Sequence, residues 1–114
     1  MTGNLSVRGT VTCIDTRIET TSAVEIHNSG TGPALCVNQT GAQPVANFLD
    51  DSTTAFYIAN GGNVGIGTIS PTQSLHVDGN VRLTGKIYDE NNQTGNTGQV
   101  LSSTGTGTDW IDMS

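Results

Sequence analysis

The segment GGNVGIGTISPTQSLHVDGNV, Gly61–Val81, decides the fold class of this chain. It places five glycines and one proline around two short runs, Val64–Ile66 and Leu75–Val77, in which the apolar residues stand two apart. A period of two is typical of a strand with one buried face, and clusters of Gly, Asn and Pro are typical of turns. The segment therefore predicts two short strands bounded by tight turns.

The glycines of this segment also raise the alternative of a phosphate-binding loop. A dinucleotide fingerprint needs Gly-x-Gly-x-x-Gly between a strand and a helix, but Ser70 stands where the third glycine after Gly65 and Gly67 is required. A phosphate loop ending at Gly67 needs a lysine next, where Thr68 stands. We therefore expect structural glycines, at points where a strand bends or approaches another backbone closely.

The same alternation recurs along the chain, and its units resemble one another. LSVRGTV (5–11) and LHVDGNV (75–81) share the pattern Leu-x-Val-x-Gly-x-Val. The best helix candidate, 16–26, is rich in Thr and β-branched residues, which helices disfavour. We therefore predict an all-β chain of short, half-buried strands, with further apolar pairs at Val24/Ile26, Leu35/Val37, Phe56/Ile58, Val81/Leu83, Val100/Leu101 and Trp110/Ile111.

The chain is poor in the side chains that build a core. Its 114 residues include 15 glycines and only 33% hydrophobic residues. A small domain of this kind buries a modest share of its surface, so we expect subunit association to complete its stability. Cys13 and Cys36 allow at most one disulfide, and the favoured prediction is that both are buried free thiols. With His27 and His76 they form no spacing typical of a structural zinc site.

Net charge and hydropathy exclude several classes of partner. A net charge of −6 argues against binding to a nucleic-acid backbone or to an anionic membrane surface. No apolar run approaches the roughly 20 residues that span a bilayer, and residues 1–9 lack the pattern of a signal peptide. We therefore expect no nucleic-acid partner, no membrane insertion and no secretory address.

No pattern in the chain predicts catalysis or a cofactor. Asp50 and Asp51 are adjacent, so they are expected in a solvated turn rather than as an acid/base pair. No nucleophile-elbow motif frames a serine. His76 alternates with Leu75 and Val77 and is expected to be exposed or to line a polar seam between subunits. A minor alternative is that three copies of His76 around a threefold axis hold a metal ion. The prediction is a non-enzyme without catalytic, cofactor or metal residues.

The run 30–87 resembles the repeated strand modules of fibre proteins from tailed bacteriophages and large DNA viruses. Segments similar to PALCVNQTG (33–41), FLDD (48–51), GNVGIGT-x-SP (62–71) and LHVDGNV (75–81) recur in tandem in those proteins. The most specific element is NVGIGT-x-SP followed by Leu-x-Val-x-Gly-x-Val, although such modules also occur in bacterial surface proteins. Residues 95–114 are similar to the spacer that precedes an intramolecular chaperone domain. That domain's serine–lysine cleavage chemistry is not expected here, since the only lysine, Lys86, lies in a predicted strand.

This resemblance implies an elongated, intertwined parallel homotrimer of short strands, a β-helix-like or β-prism-like fibre. It further implies a structural role in host attachment or in assembly of an appendage on the virion exterior, with other virion proteins and a host-surface glycan or receptor as partners. We divide the chain into a β-rich shaft module, 1–90, and a Gly/Thr-rich connector with a terminal strand pair, 91–114.

A second hypothesis is a small adhesin or carbohydrate-binding module. Glycan sites usually expose aromatic side chains, and this chain has five of them. Phe48 and Phe56 are expected in the core, whereas Tyr57 faces the opposite side of its strand. Trp110 is expected to act as an apolar plug at the base of the fibre more than as a ligand platform. Tyr57 and Trp110 are therefore the candidate glycan contacts.

Overall fold

The computed structural model describes residues 6–10 and 19–113, and every regular element within them is a β-strand. The prediction of an all-β chain is confirmed for these residues. The chain divides into two units, 1–37 and 38–114. Among the described residues, no helix has the length and hydropathy required to cross a membrane.

The described part of the first unit, 6–10 and 19–37, contains no strand. The predicted strands at 24–26 and 35–37 are therefore wrong, as is the one at 81–83 in the second unit, where Lys86 also lies outside any strand. Alternation alone does not make a strand, because each backbone edge also needs a partner to accept its hydrogen bonds. Most of the predicted strand at 5–13 lies outside the described residues.

A four-stranded sheet in the order β1-β2-β3-β4 opens the second unit. β1 (Ala46–Asp50) and β2 (Thr53–Ile58) form an antiparallel hairpin. Its two-residue turn places Asp51 and Ser52 at φ 47° and 66°, the pair of positive φ angles found in type I′ turns. Both Asp50 and Asp51 are exposed, as predicted for a solvated turn.

β3 (Val64–Ile66) pairs antiparallel with β2 and parallel with β4 (Leu75–Val77). Only residues 67–74 connect the parallel pair, fewer than the dozen or so of a usual crossover. The connection is held at both ends, because the Val64 N–H donates to the Ser74 carbonyl at 2.8 Å and the Asp78 N–H donates to the Ile66 carbonyl at 2.9 Å. The two strands of the segment Gly61–Val81 therefore pair with each other.

The glycines of this segment are structural, as predicted. Gly65 is buried, and a Cβ at this position would collide with the backbone carbonyl oxygen of Thr68. Gly67 has a φ of 77°, and its N–H donates to the Ala55 carbonyl at 3.0 Å. Ala55 is the extra residue of a β-bulge, at the point where the β1–β2 register shifts. The hydrogen bond from Gly67 therefore joins the turn after β3 to this bulge.

The second sheet is the antiparallel hairpin of β5 (Gln99–Ser103) and β6 (Thr108–Asp112). It pairs Leu101 with Trp110 and Val100 with Ile111, which confirms the predicted terminal strand pair. The turn between the strands is closed by the Gly107 N–H, which donates to the Thr104 hydroxyl at 2.9 Å. This hairpin carries the only tryptophan of the chain.

No large apolar side chain is fully buried in the described part of one chain. Phe48 and Phe56 make an edge-to-face pair with ring centroids 5.6 Å apart, but Phe48 remains 56% exposed. The prediction that these two rings fill a core is therefore wrong for a single chain. The second unit is held together instead by strand ladders, turns and one buried carboxylate.

Candidate functional site

The buried carboxylate belongs to Asp89, which is 6% exposed and is the first residue of the turn formed by residues 89–93. Its Oδ1 accepts hydrogen bonds from the N–H groups of Asn91 and Gln93, both at 2.9 Å. The Asp89 N–H donates to the Gln93 carbonyl at 2.8 Å, and the Asn92 N–H donates to the Asp89 carbonyl at 3.0 Å. A side-chain acceptor that bonds to nearby backbone N–H groups is the typical use of Asp in a turn.

The same carboxylate also joins the turn to the second hairpin. Oδ2 of Asp89 accepts a hydrogen bond from the Trp110 N–H at 3.3 Å, and the indole Nε1 of Trp110 donates to the Ile87 carbonyl at 3.1 Å. The Glu90 carboxylate packs directly against Gly107, in the space that a Cβ on this residue would occupy. The segment 87–95 is therefore fixed against β6 by contacts on both sides of Asp89.

The pKa of Asp89 lies below its ordinary value of 3.8. Burial alone raises the pKa, because it disfavours the charged form. The hydrogen bonds that the carboxylate accepts from the N–H groups of Gln93, Trp110 and Asn91, with a side-chain hydrogen bond to Asp109, act in the opposite direction and prevail. Asp89 is thus held as an anion at neutral pH, and its oxygens are occupied by the fold.

A cleft of about 500 Å³ opens beside this anchor. Two aromatic side chains, Tyr88 and Trp110, contribute to its wall. Gly95 packs against the indole, since a Cβ at Gly95 would lie 2.8 Å from the Trp110 Cδ2 atom. The rest of the lining is polar and uncharged: the amides of Asn92, Gln93, Asn96 and Gln99, and the hydroxyl of Thr94. The cleft therefore combines aromatic surface with amide donors and acceptors.

The side-chain amides of the cleft differ in whether they are hydrogen-bonded within the chain. The Gln99 amide is occupied, because its Oε1 accepts from the Asn96 N–H at 2.7 Å and its Nε2 donates to Asp112 at 3.3 Å. Within the described residues, the side chains of Asn92, Gln93 and Asn96 have no hydrogen-bond partner in the chain. Three amides are thus free to bind a ligand.

The residues singled out in the sequence do not gather into one site. Cys36 is an exposed free thiol rather than a buried one, while Cys13 lies outside the described residues. His27 is exposed. His76 is half-buried on β4, where its Nδ1 accepts a hydrogen bond from the Thr72 N–H at 3.3 Å. In the part of the chain that the structure describes, no three metal-ligating side chains lie together.

Of the two candidate glycan contacts, only Trp110 borders the cleft, while Tyr57 lies half-buried on β2. The sequence reasoning missed Asp89, Tyr88 and the amides. The signal that could have revealed them is the run YDENNQTG, 88–95, in which Asp89 and Glu90 are followed by two Asn residues, a composition typical of a side-chain-stabilised turn.

Comparison of the chain with family models, with curated proteins and with solved structures found no match.

Proposed function

We propose that this chain is a structural segment of a trimeric viral fibre, on the outside of the virion, and that it serves host attachment or assembly of the appendage. Three copies share one axis, and their short strands complete one another in an elongated, intertwined arrangement. Other virion proteins are its partners at the ends. The segment has no enzymatic role.

The surface area of one chain is the observation that carries this proposal. A single chain exposes 10154 Å². A folded monomer of 11.8 kDa is expected to expose about 5,900 Å². The excess, about 4,200 Å², falls within the range of roughly 2,000–5,000 Å² that obligate oligomers bury. An excess of this size is what a chain completed by other copies would show, and it supports the proposal.

The apolar residues left outside strands point in the same direction. Val24, Ile26, Leu35, Val37, Val81 and Leu83 are all more than half exposed, and each belongs to an alternating run. Runs of exposed apolar side chains are typical of surfaces that bind another protein chain. Pairing with equivalent runs of two other copies would bury these side chains and satisfy their backbone groups.

The resemblance to viral fibre modules supplies the biological setting. Its most specific element, 62–71 followed by 75–81, coincides with the β3–β4 unit, in which Gly65 and Gly67 are required by close backbone contacts. The conformation of this element thus explains why the motif needs glycine at those positions.

Small-angle X-ray scattering tests the fibre arrangement. A compact particle of three 114-residue chains would have a radius of gyration of about 20 Å. The proposal predicts a trimeric mass with a clearly larger radius and a rod-like cross-section. A trimer with a radius near 20 Å would contradict the fibre while leaving trimerisation intact.

A further inference from the structure

The cleft beside Trp110 lies outside the apolar runs from which the trimer is argued, and its chemistry points to a ligand. Its wall carries two aromatic side chains, and Tyr88 is 60% exposed. No carboxylate, ammonium or guanidinium group is among its lining residues. The free amides of Asn92, Gln93 and Asn96 lie on the same cleft.

We propose that this cleft binds a neutral hexopyranoside, a single uncharged sugar ring such as the terminal residue of a glycan. The Tyr88 ring packs against the C–H face of the sugar, and the three free amides exchange hydrogen bonds with its hydroxyl groups. Trp110 forms part of the wall and holds the site in place through its bonds to Ile87 and Asp89.

The composition of the cleft matches this class of ligand in three respects. A side-chain amide offers two N–H donors and a carbonyl acceptor, so it can pair with a hydroxyl group in either sense. A flat aromatic ring suits the apolar face of a sugar and keeps a polar edge for water. The volume, about 500 Å³, lies within the range of roughly 300–1,000 Å³ common for small-molecule sites.

The charges around the cleft favour a neutral sugar over an anionic one. No cationic side chain lines the cleft, and the chain carries a net charge of −6. An acidic sugar would bring its carboxylate to a site without a counter-charge and near the buried Asp89 anion. We therefore expect galacturonate and sialic acid to bind more weakly than neutral sugars.

Trp110 makes the test direct, because it is the only tryptophan and lies in the cleft wall. The full chain is titrated with the methyl glycosides of glucose, galactose, mannose and N-acetylglucosamine, up to about 20 mM, while indole emission is recorded. At least one sugar should give a saturable change with a Kd of about 0.1–10 mM. Galacturonate and sialic acid serve as the anionic comparison.

Three variants and one control assign the binding to the cleft. Gln93→Ala, Asn96→Ala and Tyr88→Ala should each weaken the interaction at least about fivefold. Gln73→Ala removes an exposed amide outside the cleft and should leave the Kd unchanged. Circular dichroism and sedimentation on the same samples verify that each variant keeps its fold and assembly.

The proposal is overturned if no neutral glycoside gives a saturable change, or if the three cleft variants bind as well as the Gln73 control. Emission that responds only to protein concentration would show that a second copy of the chain fills the cleft, which also overturns it. Sugar binding by a monomer would support this site and contradict the fibre, so the two proposals fail separately.

Discussion

At the residue scale, Asp89 is the most constrained side chain of the second unit. One carboxylate accepts three backbone N–H bonds, two from its own turn and one from Trp110 in the neighbouring hairpin. Bonds from N–H groups to an ionised acceptor are stronger than those between neutral groups. The described residues include no buried apolar side chain. The hydrogen-bonded carboxylate therefore supplies some of the stabilisation that a hydrophobic core usually provides.

We expect Asp89→Asn to loosen the turn from the hairpin, because the single carbonyl oxygen of an amide cannot replace both carboxylate oxygens. At pH 7 the urea midpoint reported by Trp110 emission should fall, at a fixed protein concentration. Asp78→Asn removes the same charge from an exposed site on another loop and should have little effect. Equal midpoints for the two variants would contradict the anchoring role.

The acid dependence of the same experiment follows from the pKa of Asp89. Because this pKa is lower in the folded chain than the ordinary 3.8, the ionised group stabilises the fold above pH 3.8. That stabilisation is lost as the pH falls through the lowered folded pKa. The wild-type chain and Asp89→Asn should therefore differ at pH 7 and converge in acid.

Gly95 supplies a second residue-scale prediction, because it packs on the indole with a φ of 77°. Gly98 also has a positive φ, 87°, but a Cβ there would meet nothing within 4 Å. Both alanine variants incur backbone strain of about 1–2 kcal/mol. Only Gly95→Ala should also displace the ring, with about 1–3 kcal/mol of further destabilisation and a shift of Trp110 emission. Matching emission spectra for the two variants would contradict the packing of Gly95 on Trp110.

At the element scale, local signals predicted β2 to β6 but not β1. β5 and β6 pair across a short turn, so alternation and turn residues are sufficient to identify them. β1 was not among the predicted strands, and only its pairing with β2 in the fold identifies it as one. The runs at 24–26, 35–37 and 81–83 show the same alternation but form no strand in a single chain. Such a run becomes a strand only if the edge of another strand is available to pair with it. The residues of the run do not specify that partner.

The cleft was harder to predict than the strands. Its wall joins the segment 88–96 to β5 and β6, and a buried carboxylate hydrogen-bonded to backbone N–H groups links them. A turn-forming run such as YDENNQTG predicts the local bend. It does not reveal that Trp110, about 20 residues later, packs on that bend, because the contact depends on tertiary structure.

Gly65→Ala tests the element that decides the fold. The new methyl group would collide with the backbone carbonyl oxygen of Thr68, which a rotamer change cannot relieve. We expect a destabilisation of about 1–3 kcal/mol in urea melts followed by circular dichroism. Gly85→Ala is the matched control, since a Cβ there meets nothing within 4 Å and its φ is not in the left-handed region. Equal urea midpoints for both variants would show that the close packing of Gly65 against Thr68 is not required for stability.

At the scale of the whole molecule, the exposed apolar runs are the surfaces at which the proposed trimer can be tested. Leu83 is 59% exposed in one chain, and Thr84 next to it is also exposed. If the run at 81–83 pairs between copies, Leu83→Asp should dissociate the assembly in size-exclusion chromatography with light scattering, because it places a charge in the interface. Thr84→Asp adds the same charge on the alternate face and should preserve the assembly. Dissociation by neither variant would place the interface elsewhere.

Sedimentation equilibrium of the full chain at micromolar concentration tests the central claim most directly. We predict a particle of three times 11.8 kDa, about 35 kDa, whose unfolding midpoint rises with protein concentration. A particle of 11.8 kDa that unfolds cooperatively, with a midpoint independent of concentration, would contradict the account.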